Sequence, residues 1–146
     1  MKKYLMILII FFGCESQSLD DQLNLVLPGD PRSLDPILST DVRSGQVCAL
    51  IYDNLVQYGD SVEIIPGVAK TWDISNDGKK YTFGLNDNVY FSDGKKLKSE
   101  NVIKSFLRIM EPNSKSPFFW IFENVIGAEE YKKGLKKKYI GFFFTE

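Results

Sequence analysis

Three turn signals, Asn76-Asp77-Gly78, Asn86-Asp87-Asn88 and Ser92-Asp93-Gly94, crowd into residues 76–94 and leave room there only for short strands. Gly78 takes a positive φ at little cost, so the first of these turns suits a junction between antiparallel strands. The spacing predicts strands at 62–65, 80–85 and 88–91. Alternation along Tyr81-Thr82-Phe83-Gly84-Leu85 puts Tyr81, Phe83 and Leu85 on one face of their strand. Trp72, Phe83 and Phe91 read as core residues rather than as a platform for a ligand.

Helical periodicity flanks this middle. Val47, Leu50, Ile51, Asn54 and Leu55 recur at helical spacing and predict a helix over 43–57 with one apolar face, capped by Asp41 or Ser44. A second helix is expected to start at a Ser99 cap, to bury Val102, Ile103, Phe106, Leu107 and Met110, and to stop at Pro112. A third, over about 127–135, follows the aromatic segment Phe118-Phe119-Trp120-Ile121-Phe122. Near the front, Leu23-Asn24-Leu25-Val26-Leu27 is an apolar run stopped by Pro28-Gly29 and reads as a buried strand. Pro31 and Pro36 keep the stretch after it irregular, because a residue before proline avoids helical angles. The expected fold class is α+β, a mixed sheet with flanking helices.

Residues 1–14, MKKYLMILIIFFGC, have the form of an export signal. Lys2 and Lys3 precede an apolar run from Tyr4 to Phe12, too short for a span of about 20 residues. Gly13-Cys14 at its end resembles the lipobox of bacterial lipoproteins, with Phe11 standing where leucine is favoured. The resemblance implies lipid attachment at Cys14, with residues 15–22 as a polar tether. Cys48, inside the first helix, reads as a buried free thiol.

Charge and composition exclude several functions. The formal net charge is −1, and without Lys2 and Lys3 it becomes 16 − 19 = −3, which offers no basic face to nucleic acid. Histidine is absent, so the commonest general base and the commonest metal ligand are missing. Asp35 and Asp93 are expected to bond loop amides rather than to act as an acid pair. No catalytic residue, metal ligand or cofactor is assigned, and the chain is not read as an enzyme.

Six pieces, taken in order, resemble the bacterial extracellular solute-binding proteins of the oligopeptide, dipeptide and nickel transporter class. Ser33-Leu34-Asp35-Pro36 is similar to the family's opening "SLDP" element, and Ile51-Tyr52-Asp53-Asn54-Leu55-Val56 to its "IYEGLV" segment. Pro66–Trp72 is similar to "PGLAESW", Asp77–Phe83 to "DGLTYTF", Val89–Gly94 to "VKFSDG" and Leu97–Val102 to "LTAEDV". The resemblance implies a partial solute-binding domain over 23–135, equivalent to the N-terminal part of lobe one of a two-lobed, type II periplasmic-binding-protein-like fold. It implies the substrate-binding component of an ABC peptide importer, exported and membrane-anchored, working with permease subunits on oligopeptides. Without histidine, peptide is favoured over nickel.

Sequence-tolerant peptide recognition adds the ligand as an extra strand to exposed backbone. The resemblance puts that edge at Thr40, Asp41 and Val42, and an aromatic wall at Phe118, for which core packing is the alternative role. It also implies a second lobe that closes over the ligand, so a chain of 146 residues is expected to be truncated and binding-deficient, with a sheet edge and an apolar face left bare. Residues 136–146 read as an aberrant tail whose Phe142-Phe143-Phe144 has no evident burial partner, consistent with a frame disruption near Lys136–Lys138. The second reading, from another class, is a standalone surface lipoprotein acting as an adhesion or interaction module.

Overall fold

The computed structural model describes residues 24–136, 141 and 142. In chain order the elements are α1 (Val42–Ile51), β1 (Val56–Tyr58), β2 (Ile64–Pro66), β3 (Ala69–Ile74), β4 (Tyr81–Leu85), α2 (Ser99–Met110) and α3 (Ala128–Lys132). Single 3-10 turns form at Pro36–Leu38 and Phe119–Ile121. The α+β class is as expected, but the described strands make two antiparallel pairs, β1–β2 and β3–β4, in place of one mixed sheet. Short turns join the members of each pair, and a short turn can return the chain only antiparallel.

The β3–β4 hairpin follows its turn chemistry. Asp77 accepts the Ser75 hydroxyl at 2.6 Å and the Lys79 amide at 3.2 Å, while Gly78 sits at φ 68°. The register pairs Trp72 with Phe83 and Ile74 with Tyr81, with an irregularity between Ala69 and Thr71. Segment 66–69 ties the two hairpins together. The Val68 and Ala69 amides donate to the carbonyls of Asn54 and Leu55, each at 2.9 Å, and the Val68 carbonyl accepts from the Asn86 amide at 2.9 Å. A Cβ at Gly67 would press into the same two carbonyl oxygens, so the close approach requires glycine.

This crossing explains why the first helix is shorter than 43–57. Asn54 and Leu55 are committed to Val68 and Ala69 and to the start of β1, and Tyr52 ends α1 in an extended conformation. Three other expectations are also corrected. Residues 24–27 form no strand, with Val26 99% exposed and no ladder partner among the described residues. Residues 88–91 contribute one isolated bridge, Tyr90 to Lys96. β2 begins at Ile64 rather than at 62, because Val62 turns the chain at φ 67°.

The apolar core lies at the back. Met110 and Ala128 are fully buried, surrounded by Phe106, Leu107, Phe119, Phe122, Val125, Tyr131 and Phe142. Of the stripe expected on α2, Met110 is buried and Val102, Ile103, Phe106 and Leu107 are half-buried, and the Asn101 side chain, not Ser99, closes its first turn by accepting the Lys98 amide at 2.8 Å. Ser99 is the first helical residue. Phe142 stacks on Phe106 at 5.5 Å and meets Phe122 edge-on at 6.4 Å, so this tail residue does have a burial partner. Its neighbours Phe143 and Phe144 lie outside the described residues. Trp72 is half-buried while Phe83 and Phe91 are exposed among the described residues, so the strand aromatics do not join this core.

Candidate functional site

The stretch expected to face a ligand leads into α1. Asp41 is extended, at φ −115° and ψ 158°, and caps the helix: its Oδ1 accepts the Ser44 amide at 3.1 Å and its Oδ2 the Ser44 hydroxyl at 2.6 Å. Of the two cap candidates Asp41 is the cap, and Ser44 is its partner. The Ser44 hydroxyl, then the Ser44 amide, hold the Asp41 carboxyl below its ordinary pKa, with Arg32 and Arg43 adding a weaker pull. Thr40 and Val42 are exposed. Among the described residues, the N–H groups of Thr40, Asp41 and Val42 and the carbonyl of Thr40 make no hydrogen bond. An extended backbone with free donors and an acceptor is an edge to which another strand can be added.

What fixes that edge is polar. α1 turns Ser44, Cys48 and Tyr52 toward residues 33–35. The Ser33 amide donates to the Ser44 hydroxyl at 3.1 Å, and the Leu34 carbonyl accepts from Cys48 Sγ at 3.6 Å and from the Tyr52 hydroxyl at 3.1 Å. Ser44 is fully buried and Cys48 nearly so, a free thiol as expected. Leu50 and Ile51, expected on the buried face, are exposed instead. Asp35 and Asp93 bond loop amides, those of Ile37 and Lys95. Asp35 does more: its Oδ2 accepts Arg108 Nη2 of α2 at 2.7 Å. The spacing of four along Ser44, Cys48 and Tyr52 is a signal that a search for apolar periodicity overlooks. For Arg108, 73 positions from its partner, the sequence holds no signal.

Phe118 is half-buried at the mouth of the second 3-10 turn. Its amide donates to the Ser116 hydroxyl at 3.3 Å and its carbonyl accepts from Ile121. The cluster on Met110 takes Phe119 and Phe122 and not Phe118. No hydrogen bond or ion pair among the described residues joins Phe118 to Thr40–Val42. Cys14 lies outside the described residues.

An open concavity of about 640 Å³ lies away from both, lined by the end of α1, by β1 and by Phe106. Among the described residues there is no group of three or more His, Cys, Asp or Glu side chains able to hold a metal. Nor is any described helix long and apolar enough to cross a membrane.

Comparison with known proteins gives this geometry a context. Residues 63–138 match the family model "Bacterial extracellular solute-binding proteins, family 5 Middle". The periplasmic murein peptide-binding protein MppA of Escherichia coli is 36% identical over 91 residues, covering 62% of this chain and 17% of that protein. The dipeptide-binding protein of Lactococcus lactis subsp. cremoris is 29% identical over 127 residues, covering 86% of this chain and 23% of its own length. Among solved structures, a periplasmic oligopeptide-binding protein of Borrelia burgdorferi superposes with a TM-score of 0.68 at 36% identity, over 73% of this chain and 22% of that one. The chain thus spans about a fifth of the length of the curated relatives it matches.

Proposed function

The chain belongs to the family 5 bacterial extracellular solute-binding proteins, and from that premise we propose that it supplies one wall of the peptide site in the binding component of an ABC peptide importer. The observation that carries this reading is that most of the relatives are named for binding murein peptide, dipeptides or oligopeptides, beside one named for nickel and one for deoxycholate. The free backbone groups at Thr40, Asp41 and Val42 support it, because a sequence-tolerant site recognises peptide through main-chain hydrogen bonds. Phe118 supplies apolar wall in this reading, and the role is binding without turnover. The second wall belongs to a closing lobe of the kind that binds by hinge motion. Met1–Gly13 direct export, Cys14 carries the lipid, and permease subunits are the protein partners.

One substitution isolates the edge. Val42 is the first helical residue and Asp41 before it is extended, so Val42→Pro keeps α1, removes an N–H and otherwise changes only a side chain that is 77% exposed. In a full-length oligopeptide-binding relative whose matching segment is replaced by residues 24–136, Val42→Pro should weaken tripeptide binding by about fivefold, the worth of one hydrogen bond of about 1 kcal/mol. Calorimetry reads the change. Unaltered affinity in a correctly folded chimera would sink the proposed edge. Wild-type segment 15–146 alone, with one wall exposed to water, should bind the same peptide far more weakly than the chimera.

A further inference from the structure

Resting on the peptide-edge reading above, we propose that Arg108 of α2 is a positioning residue for the Thr40–Val42 edge, acting through a polar relay that runs from Asp35 to Asp41.

Every link is a contact between named atoms. Arg108 Nη2 donates to Asp35 Oδ2 at 2.7 Å, leaving Asp35 Oδ1 to accept the Ile37 amide at 3.3 Å. The Asp35 amide donates to the Ser33 hydroxyl at 3.0 Å. The Ser33 amide donates to the Ser44 hydroxyl at 3.1 Å, and that hydroxyl donates its own proton to Asp41 Oδ2 at 2.6 Å. Ser44 is fully buried, so its hydroxyl has no water to exchange with, and its single proton and its accepted bond are both committed. Asp41 in turn fixes the extended angles that leave the edge N–H groups free. The Leu34 carbonyl, held by both Cys48 and Tyr52, keeps the relay's middle against α1.

The Arg108–Asp35 pair is the only hydrogen bond or ion pair that joins α2 to residues 24–52 among the described residues. α2 belongs to the apolar core through Met110 and Phe106. The relay therefore references the edge to the best-packed part of the molecule, although none of its members need touch a ligand. Arg108 and Asp35 are part-exposed, so the coupling is modest and weakened by salt.

The test uses the full chain in detergent micelles, isotopically labelled for NMR, with tetra-alanine as the probe peptide. Arg108→Gln should increase fast motion at the amides of Thr40, Asp41 and Val42, which are already free of hydrogen bonds among the described residues, and weaken tetra-alanine binding by about threefold. Arg108→Lys should restore most of both, and Asp35→Asn combined with Arg108→Gln should add little to either single change. Lys104→Gln, which removes another α2 cation, should leave those amides unmoved. Unchanged Thr40–Val42 amides in Arg108→Gln, or additive effects in the double variant, would overturn the inference. If the amides respond while Val42→Pro leaves the affinity of the chimera unaltered, the relay stands and the peptide reading fails.

Discussion

The front of this chain, residues 33–52, and its back, residues 99–142, are held together by different physics. The back closes around Met110 and Ala128, both fully buried, with three phenylalanine rings within 6.4 Å of one another. In the front the only buried residues are Ser44 and Cys48, each spending its polar group on the 33–35 stretch, while Val42, Leu50 and Ile51 of the same helix are exposed. Hydrophobic burial is non-directional and tolerates small shifts, whereas hydrogen bonds fix angles. A segment whose proposed task is to present backbone donors at set positions gains more from the second kind of restraint. The front is thus held for direction, the back for mass.

That contrast is broken most directly by truncating side chains on each side. Met110→Ala removes a fully buried side chain and should cost about 2–5 kcal/mol in urea unfolding. Leu50→Ala, on an exposed α1 position that the sequence pattern marks as apolar face, should stay within about 0.5 kcal/mol. Equal costs would mean that the two regions share one kind of core. The next largest effect belongs to the front. Ser44→Ala strands the Ser33 amide and an Asp41 oxygen, and should cost about 1–3 kcal/mol although it deletes a single atom. Ser44→Cys, which keeps a weak donor, should recover part of that loss. Phe142→Ala comes third, since it removes two ring contacts from a half-buried position. About 1 kcal/mol is expected, and no loss would show that the tail residue is idle.

The same contrast explains what was legible in the sequence. α2 was readable because its environment is apolar on one side only: Val102, Ile103, Phe106, Leu107 and Met110 repeat at helical spacing and are half-buried or, at Met110, fully buried. The β3–β4 turn was readable because Asp77 and Gly78 meet their requirements within five residues of chain. α1 misled the same reasoning. Its apolar Leu50 and Ile51 stay exposed, and its buried positions are Ser44 and Cys48, with the exposed Tyr52 just past its end adding a hydroxyl bond to Leu34. β1 and β3 were missed because their pairing depends on contacts such as Val68 to Asn54, which no local pattern announces. At the site, Thr40–Val42 came from family resemblance alone. Asp41 as the cap was readable from its own chemistry, while Arg108 was not readable at all.

The smallest expected effect is also the sharpest, because it separates the polar front from the apolar back by pH. The Asp41 carboxyl is held below its ordinary pKa, chiefly by the Ser44 hydroxyl and then by the Ser44 amide. A group whose folded pKa is depressed binds protons more readily when unfolded, so unfolding takes up protons as the medium becomes acidic. Its stabilising contribution is therefore complete above the unfolded value of about 3.9 and is lost as pH falls through the lower folded value. Asp77, Asp87 and Asp93 shift in the same direction through their own partners in Ser75, Lys70 and Lys95, so whole-chain acid unfolding mixes four such groups. Asp41→Asn isolates one. Amide exchange at Ser33 and Ser44, followed from pH 6 down to pH 3, should accelerate in the wild type beyond the intrinsic pH dependence of exchange and lose that extra acceleration in Asp41→Asn. Met110 and Ala128, in a cluster that contains no carboxylate, should show neither behaviour. Acid loosening that begins at the Met110 cluster, or that survives Asp41→Asn unchanged, would erase the distinction between a front held by hydrogen bonds and a back held by burial.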